Sequence, residues 1–195
     1  MMMVIGLTGS IAMGKSEAAR ILANYGLPVF DSDAEVHNLY ASERGVKLIA
    51  PILPEAIAGK KVNREIVMKA VLSDQALLTT LEQIVHTEIR RRRNSFIAKT
   101  KQQGAKAVVV DIPLLFETNA QISMDKTVVI SSQAPTQKAR AMARPHMTEG
   151  RLAMIMHRQM PDLQKRALAD VVIENDGTVD ELKAKLIEQM LKWGI

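Results

Sequence analysis

Val4-Ile5-Gly6-Leu7-Thr8-Gly9-Ser10-Ile11-Ala12-Met13-Gly14-Lys15-Ser16 stands near the start of the chain, and its reading decides the fold. From Gly9 to Ser16 it fits G-x-x-x-x-G-K-[ST], the loop that cradles phosphates in nucleotide-binding proteins. Gly9 and Gly14 can take backbone angles closed to residues with a Cβ, so the loop can wrap a phosphate with its N–H groups inward. A helix starting near Lys15 would offer its unpaired amides and positive dipole end to the same anion. Lys15 would reach the β- and γ-phosphates, and the Ser16 hydroxyl would hold Mg²⁺. The flanks agree. Residues 3–8 are a short apolar run rich in β-branched side chains, residues 17–24 space Ala18, Ile21 and Leu22 as a helix does, and Gly26 supplies a stop. A glycine-rich turn without a ligand is the bland alternative; strand, loop and helix in this order favour a nucleoside triphosphate site.

The 195 residues suffice for one α/β domain with room for an inserted subdomain. Apolar residues make up 47% and charged residues 24%, which is ordinary for a globular protein. The net charge of +5 suits a polyphosphate binder as well as a nucleic-acid binder. There is no cysteine, so disulfides and thiolate metal sites are excluded, and a reducing cytosol fits. The N-terminal apolar stretch has no basic segment before it and ends in the glycine loop, so a secretory signal is not expected. No run approaches the ~18 apolar residues needed to span a bilayer. These features predict a cytoplasmic protein without a membrane partner.

Downstream, residues 27–30 read as a second strand ending at Asp31-Ser32-Asp33. In open parallel sheets, ligands collect at the carboxyl ends of strands. Asp31 and Asp33 there suit a general base or a magnesium partner, or one of them caps the helix predicted over 34–41. Residues 34–103 show only helical patterns, over 65–72 and 77–97, and are predicted to be a helical, acceptor-binding insertion. Arg90, Arg91, Arg92 and Arg93 are the densest basic run; they suit an anionic partner or a solvated helix end that complements the dipole. Four consecutive residues cannot share one helix face. His86 lies one turn before.

Residues 105–112 form the clearest buried strand, ending in Asp111, which either orients Mg²⁺ or caps a turn. Residues 127–131 and 170–174 read as further strands. A helix over 135–144 would place Arg140 and Arg144 one turn apart on one face, as a phosphate-closing lid or as a charged outer surface. Pro145 breaks it, and a second helix over 148–159 completes a lid region at 135–160. Residues 178–193 read as a closing amphipathic helix. Five strands alternating with helices predict an α/β fold with a mostly parallel sheet and helices on both faces. The nucleotide-binding core is expected at 1–33 and 104–195, within a single domain.

The loop names a ligand and not an activity. Neither N-K-x-D nor D-x-x-G occurs, which argues against a GTPase. Beyond the loop, the chain carries Val29-Phe30-Asp31-Ser32-Asp33, Pro113-Leu114-Leu115-Phe116-Glu117, Arg158-Gln159-Met160-Pro161, and Ala169-Asp170-Val171-Val172-Ile173 with Asn175 and Gly177. In this order and at these intervals, over nearly the whole chain, it resembles the dephospho-coenzyme A kinase family of phosphate-loop small-molecule kinases. The resemblance implies ATP- and Mg²⁺-dependent phosphorylation of the ribose 3′-hydroxyl of dephospho-coenzyme A, the last step in making coenzyme A. It implies Asp33 as the base that also contacts the acceptor. Lys15, Arg140 and Arg144 would act on the phosphates. Gly9, Ala12, Met13, Gly14, Lys15, Ser16 and Glu17 would bind ATP, with Asn175 and Gly177 bordering the adenine. Arg64, His86 and Leu114 would contact the acceptor, and Ser16 with Asp111 would hold the metal. A small-molecule substrate, no nucleic acid, and a monomer or weak homo-oligomer are expected. The rivals are a nucleoside monophosphate kinase or a basic nucleic-acid-binding ATPase using the arginine run. The chain departs from the family pattern at Ser10 and Ala12, commonly glycine, at Glu17, commonly threonine, and at Thr87, usually proline. The Ala12 methyl is expected to crowd the phosphate and lower affinity.

Overall fold

The apolar N-terminal run forms β1 (Met3–Thr8), whose inner residues from Ile5 onward are buried. The computed structural model describes residues 2–195. After the glycine loop comes α1 (Lys15–Asn24), which buries Ala18, Ile21 and Leu22. Gly26 (φ 99°) closes it: its N–H donates to the Ala23 carbonyl and the Leu27 N–H to the Leu22 carbonyl, a Schellman stop. The chain continues through β2 (Val29–Asp31), α2 (Ser32–Tyr40), α3 (Glu43–Ile49), β3 (Ile57–Ala58), β4 (Lys61–Val62), α4 (Arg64–Ser73) and α5 (Gln75–Gln102). It then forms β5 (Ala107–Asp111), β6 (Lys126–Ser131), α6 (Ala134–Met142), α7 (Glu149–Arg158), α8 (Asp162–Leu168), β7 (Val171–Glu174) and α9 (Val179–Lys192).

The sheet runs β2-β5-β1-β6-β7. Strand β1 pairs in parallel with β5 (Ile5 opposite Val109) and with β6 (Leu7 opposite Val128), and β6 pairs in parallel with β7. Parallel neighbours need crossovers, and here these are helical. Because side chains alternate along a strand, successive residues serve opposite faces. Ile5, Leu7, Val109, Val128 and Ile130 pack with Ala18, Ile21 and Leu22 of α1 and Leu182, Leu186 and Met190 of α9. Val129 points the other way, onto Leu115, Phe116, Met124, Met160 and Ala169. The α/β fold with a parallel sheet matches the expectation. Among the described residues, no helix is long and apolar enough to cross a membrane.

Two compact units are distinguishable, residues 1–30 with 97–195, and residues 31–96. In the second, the helix-only expectation is corrected by the short antiparallel hairpin of β3 and β4. Its strands are two residues each, too short for a period-two pattern. The predicted helix over 77–97 is longer than expected, ending only at Gln102. The arginine run therefore lies well inside α5 and complements no helix end. Apart from Arg90, which is exposed, its members are engaged or buried. Arg91 binds the Glu88 carboxylate with both its Nε and Nη2, Arg92 reaches Glu88 and Glu35, and Arg44 approaches Glu88 at 3.4 Å. Arg93 is buried. The neighbouring guanidinium groups, Arg91 above all, hold Glu88 down to about 2 against the opposing effect of burial.

Glu88 is therefore ionised in the fold at pH values where an unfolded chain would protonate it. Its stabilisation is complete above about pH 5 and is lost as the pH falls toward 2. Glu88→Gln should cost about 1–3 kcal/mol at pH 7. Thermal melts of both proteins across pH 7 to 3 should show the gap narrowing; a gap that is constant or widens in acid would contradict the pairing.

Candidate active site

Lys15 begins α1 and its side chain folds toward the end of β5, where its Nζ lies 2.5 Å from Asp111 Oδ1. Asp111 is buried and Lys15 largely so. The two residues come from the first and third strand–turn units of the core, and parallel pairing of β1 with β5 brings their ends together. The first i→i−4 bond of α1 is that of Ala18 to Gly14, so the amides of Lys15, Ser16 and Glu17 precede the hydrogen-bond ladder and face outward from its start. A lysine and a helix N-terminus thus meet here, an arrangement that can take an anion.

Two glycines are required by their surroundings. Gly14 has φ 95°, and a Cβ there would lie 2.0 Å from the Asn175 side-chain amide. A Cβ on Gly9 would lie 2.6 Å from the Ile130 carbonyl. Ala12 takes φ 62°, unusual for an L-residue. Its methyl is buried in a cluster with Ile11, Ala141, Met147 and Leu152.

Asn175 sits just beyond β7 and is buried; its amide donates to the Met13 carbonyl at 2.9 Å. Its own carbonyl accepts from Arg140 Nη1 at 2.7 Å. Gly177 lies beside the capping box of Thr178 and Glu181 that starts α9. Arg140 belongs to α6, but Arg144 does not: the helix ends at Met142, and Arg144 lies in the turn before Pro145. The expectation of two arginines on one helical face is thereby corrected. A proline disfavours helical angles in the residue before it, which stops the helix short of Arg144. Glu17 is engaged locally by Arg20, which moderates the negative charge it adds near the loop. Ser16 is exposed in the first turn.

The turn after Asp111 is tied down from behind. Thr8 Oγ1 and Lys165 Nζ both donate to the Pro113 carbonyl, each at 3.1 Å. Lys165 is wholly buried and pairs with Glu117 at 2.9 Å, while Glu117 also accepts from the Met160 N–H. Leu114 is half-buried in this turn, its carbonyl accepting from Thr118. Sequence reading missed Lys165 and helix α8 altogether, since both Leu163 and Leu168 are exposed and leave no amphipathic signal.

In the second unit, Asp31 is the cap: its carboxylate accepts from the Ala34 N–H at 2.9 Å. Asp33 is not a strand-end residue; it is exposed in the first turn of α2. Arg64, the first residue of α4, lies 3.2 Å from His37 Nδ1, with its guanidinium 6.0 Å from the Tyr40 ring centre. Burial pushes the Tyr40 hydroxyl up, opposed by Arg64. His86 is exposed on α5.

Comparison with known proteins gives one consistent result. Residues 3–181 match the family model for dephospho-CoA kinase. The chain is 43% identical over 187 residues to a dephospho-CoA kinase of Brucella melitensis, covering 96% of this chain and 93% of the relative. It is 41% identical over 194 residues to that of Agrobacterium fabrum, covering all of both. A solved Thermus thermophilus protein superposes with a TM-score of 0.84 at 31% identity, covering 98% of this chain and 97% of the other. The fold is also that of a Campylobacter jejuni dephospho-CoA kinase (TM-score 0.75, 23% identity, 100% of both).

Gly14→Ala should cost about 1–3 kcal/mol through its strained φ and its clash. Combining it with Asn175→Ala should relieve the clash but not the backbone strain, so denaturant unfolding should show less than additive loss; simple additivity would mean that Asn175 does not abut Gly14.

Proposed function

The chain belongs to the dephospho-CoA kinase family and catalyses the last step of coenzyme A biosynthesis, and on that premise we propose how its residues divide the work. The observation that carries the assignment is the ion pair of Lys15 with Asp111 at the mouth of a glycine loop. ATP binds with its β- and γ-phosphates on the loop amides from Gly9 to Glu17 and on Lys15, with Asn175 and Gly177 at the adenine. Ala12 and Met13 contribute backbone only.

Ser16, in the first turn of α1, and Asp111, at the end of β5, are hard oxygen donors, and few protein ligands plus phosphate oxygens are what Mg²⁺ prefers. They are the residues that would hold it, and it would there neutralise charge on the phosphates. Asp33 accepts the proton of the ribose 3′-hydroxyl as the oxygen attacks the γ-phosphorus, whose bond to the β,γ-bridging oxygen breaks to release ADP. Arg64, His86 and Leu114 contact the acceptor. Arg140 keeps free the donors of its fork not bound to Asn175, and with Arg144 it covers the transferring phosphoryl group and excludes water. Residues 135–160 serve as the lid.

With ATP and dephospho-coenzyme A in a coupled assay, Asp33→Asn should lower kcat by about 10²–10⁴-fold while ATP binding by calorimetry holds. Turnover at the wild-type rate would remove Asp33 from the base role. Lys15→Ala should lose both turnover and ATP affinity. Nucleoside monophosphates offered in place of dephospho-coenzyme A should give no comparable rate.

A further inference from the structure

The peptide of Ile11, in the middle of the phosphate loop, is held from both sides by two glutamines: Gln137, outside every motif, and Gln159, within the motif at residues 158–161 but with no role assigned by it. Its carbonyl accepts from Gln137 Nε2 at 2.9 Å, and its N–H donates to Gln159 Oε1 at 3.0 Å. Gln137 lies on α6 and is buried; Gln159 directly follows α7. Backbone chemistry fixes the roles, because a carbonyl can only accept and an N–H can only donate. The next residue is Ala12 at φ 62°, its methyl packed against Ala141 of α6 and Leu152 of α7. Beyond it, the Met13 carbonyl is held by Asn175, whose own carbonyl is held by Arg140 of α6.

Thus two loop carbonyls that could swing inward, those of Ile11 and Met13, are each bound by a side chain from elsewhere in the fold. An inward carbonyl would set its negative end against a phosphate, whereas an outward one leaves the neighbouring N–H groups to the anion. The same contacts join the loop to both lid helices. We propose that Gln137 and Gln159 are positioning residues: by gripping the Ile11 peptide they keep the phosphate loop in its anion-binding form and fix the base of the lid to it. This rests on the reading of the loop as the ATP site.

The two side chains do opposite jobs, and that makes the idea testable. Glutamate can replace glutamine as an acceptor but not as a donor. Gln159→Glu should therefore keep the grip and Gln137→Glu should break it, although both add the same charge on either side of one peptide. In the full-length protein, ATP Kd by calorimetry and KM for each substrate should be measured for these two variants and for the alanine variants. Gln137→Glu, Gln137→Ala and Gln159→Ala should weaken ATP about tenfold, the scale of one buried hydrogen bond. Gln159→Glu should stay within about threefold of wild type, and the KM for dephospho-coenzyme A should be unmoved throughout. Reversible unfolding raises the apparent constants for both substrates by the same factor, so a loss confined to ATP is not partial instability. Equal ATP affinities in the two glutamate variants, or a matching loss for both substrates, would overturn the proposal. Lys15→Ala in the same titration separates the premises: if it binds ATP as wild type does, the ATP-site reading fails. If it alone loses ATP, only the role of the glutamines fails.

Discussion

A single ion pair fixes how the parts of the larger unit must meet. Lys15 starts the first helix and Asp111 ends the strand beside β1, so their contact requires the loop, the helix start and the parallel register all to be correct at once. A buried pair of this kind adds little net stability, since desolvation offsets most of the attraction, but separating it would leave a charge stranded in the interior. Its value lies in uniqueness. Few other arrangements of the β1–β5 pairing would bring an ammonium and a carboxylate within bonding distance.

Behind that pair the protein supplies a rigid backing. Thr8 and Lys165 share the Pro113 carbonyl, and Glu117 joins Lys165 to the Met160 amide, so the turn after β5 is fastened to α8 by charged groups hidden from water. The second unit has its own device of this kind, in which Glu88 gathers Arg44, Arg91 and Arg92. In both places a carboxylate with several donors fixes direction where apolar packing would fix only distance.

The parts legible in the sequence were those whose physics is local. The loop, its strand and its helix follow from residues 3–26 alone, and the parallel sheet follows from alternating strand and helix signals. The choice between Asp31 and Asp33 as cap was open in the sequence, because both precede a helix start; only the backbone assigns it to Asp31. Residues 90–93 looked like a helix end because their charges suit one, yet the stop is Gly104 (φ 79°), whose N–H donates to the Lys101 carbonyl just past the end of α5. Arg144 looked helical by spacing, yet the proline after it outweighed periodicity. Gln137 left no signal at all, and Gln159, although it stands in the motif at residues 158–161, gave no sign of its partner: a glutamine that touches another segment's backbone looks in sequence like any surface glutamine. Tertiary hydrogen bonds of this kind carry no period.

The total burial of Lys165 has a chemical consequence. An amine with no contact with solvent, already donating to Glu117 and Pro113, is out of reach of acylating reagents while α8 stays docked. Acetylation at that position would thus time the transient undocking of this one helix. In a chain with no cysteine to label, it provides a native clock on the support beneath the catalytic turn.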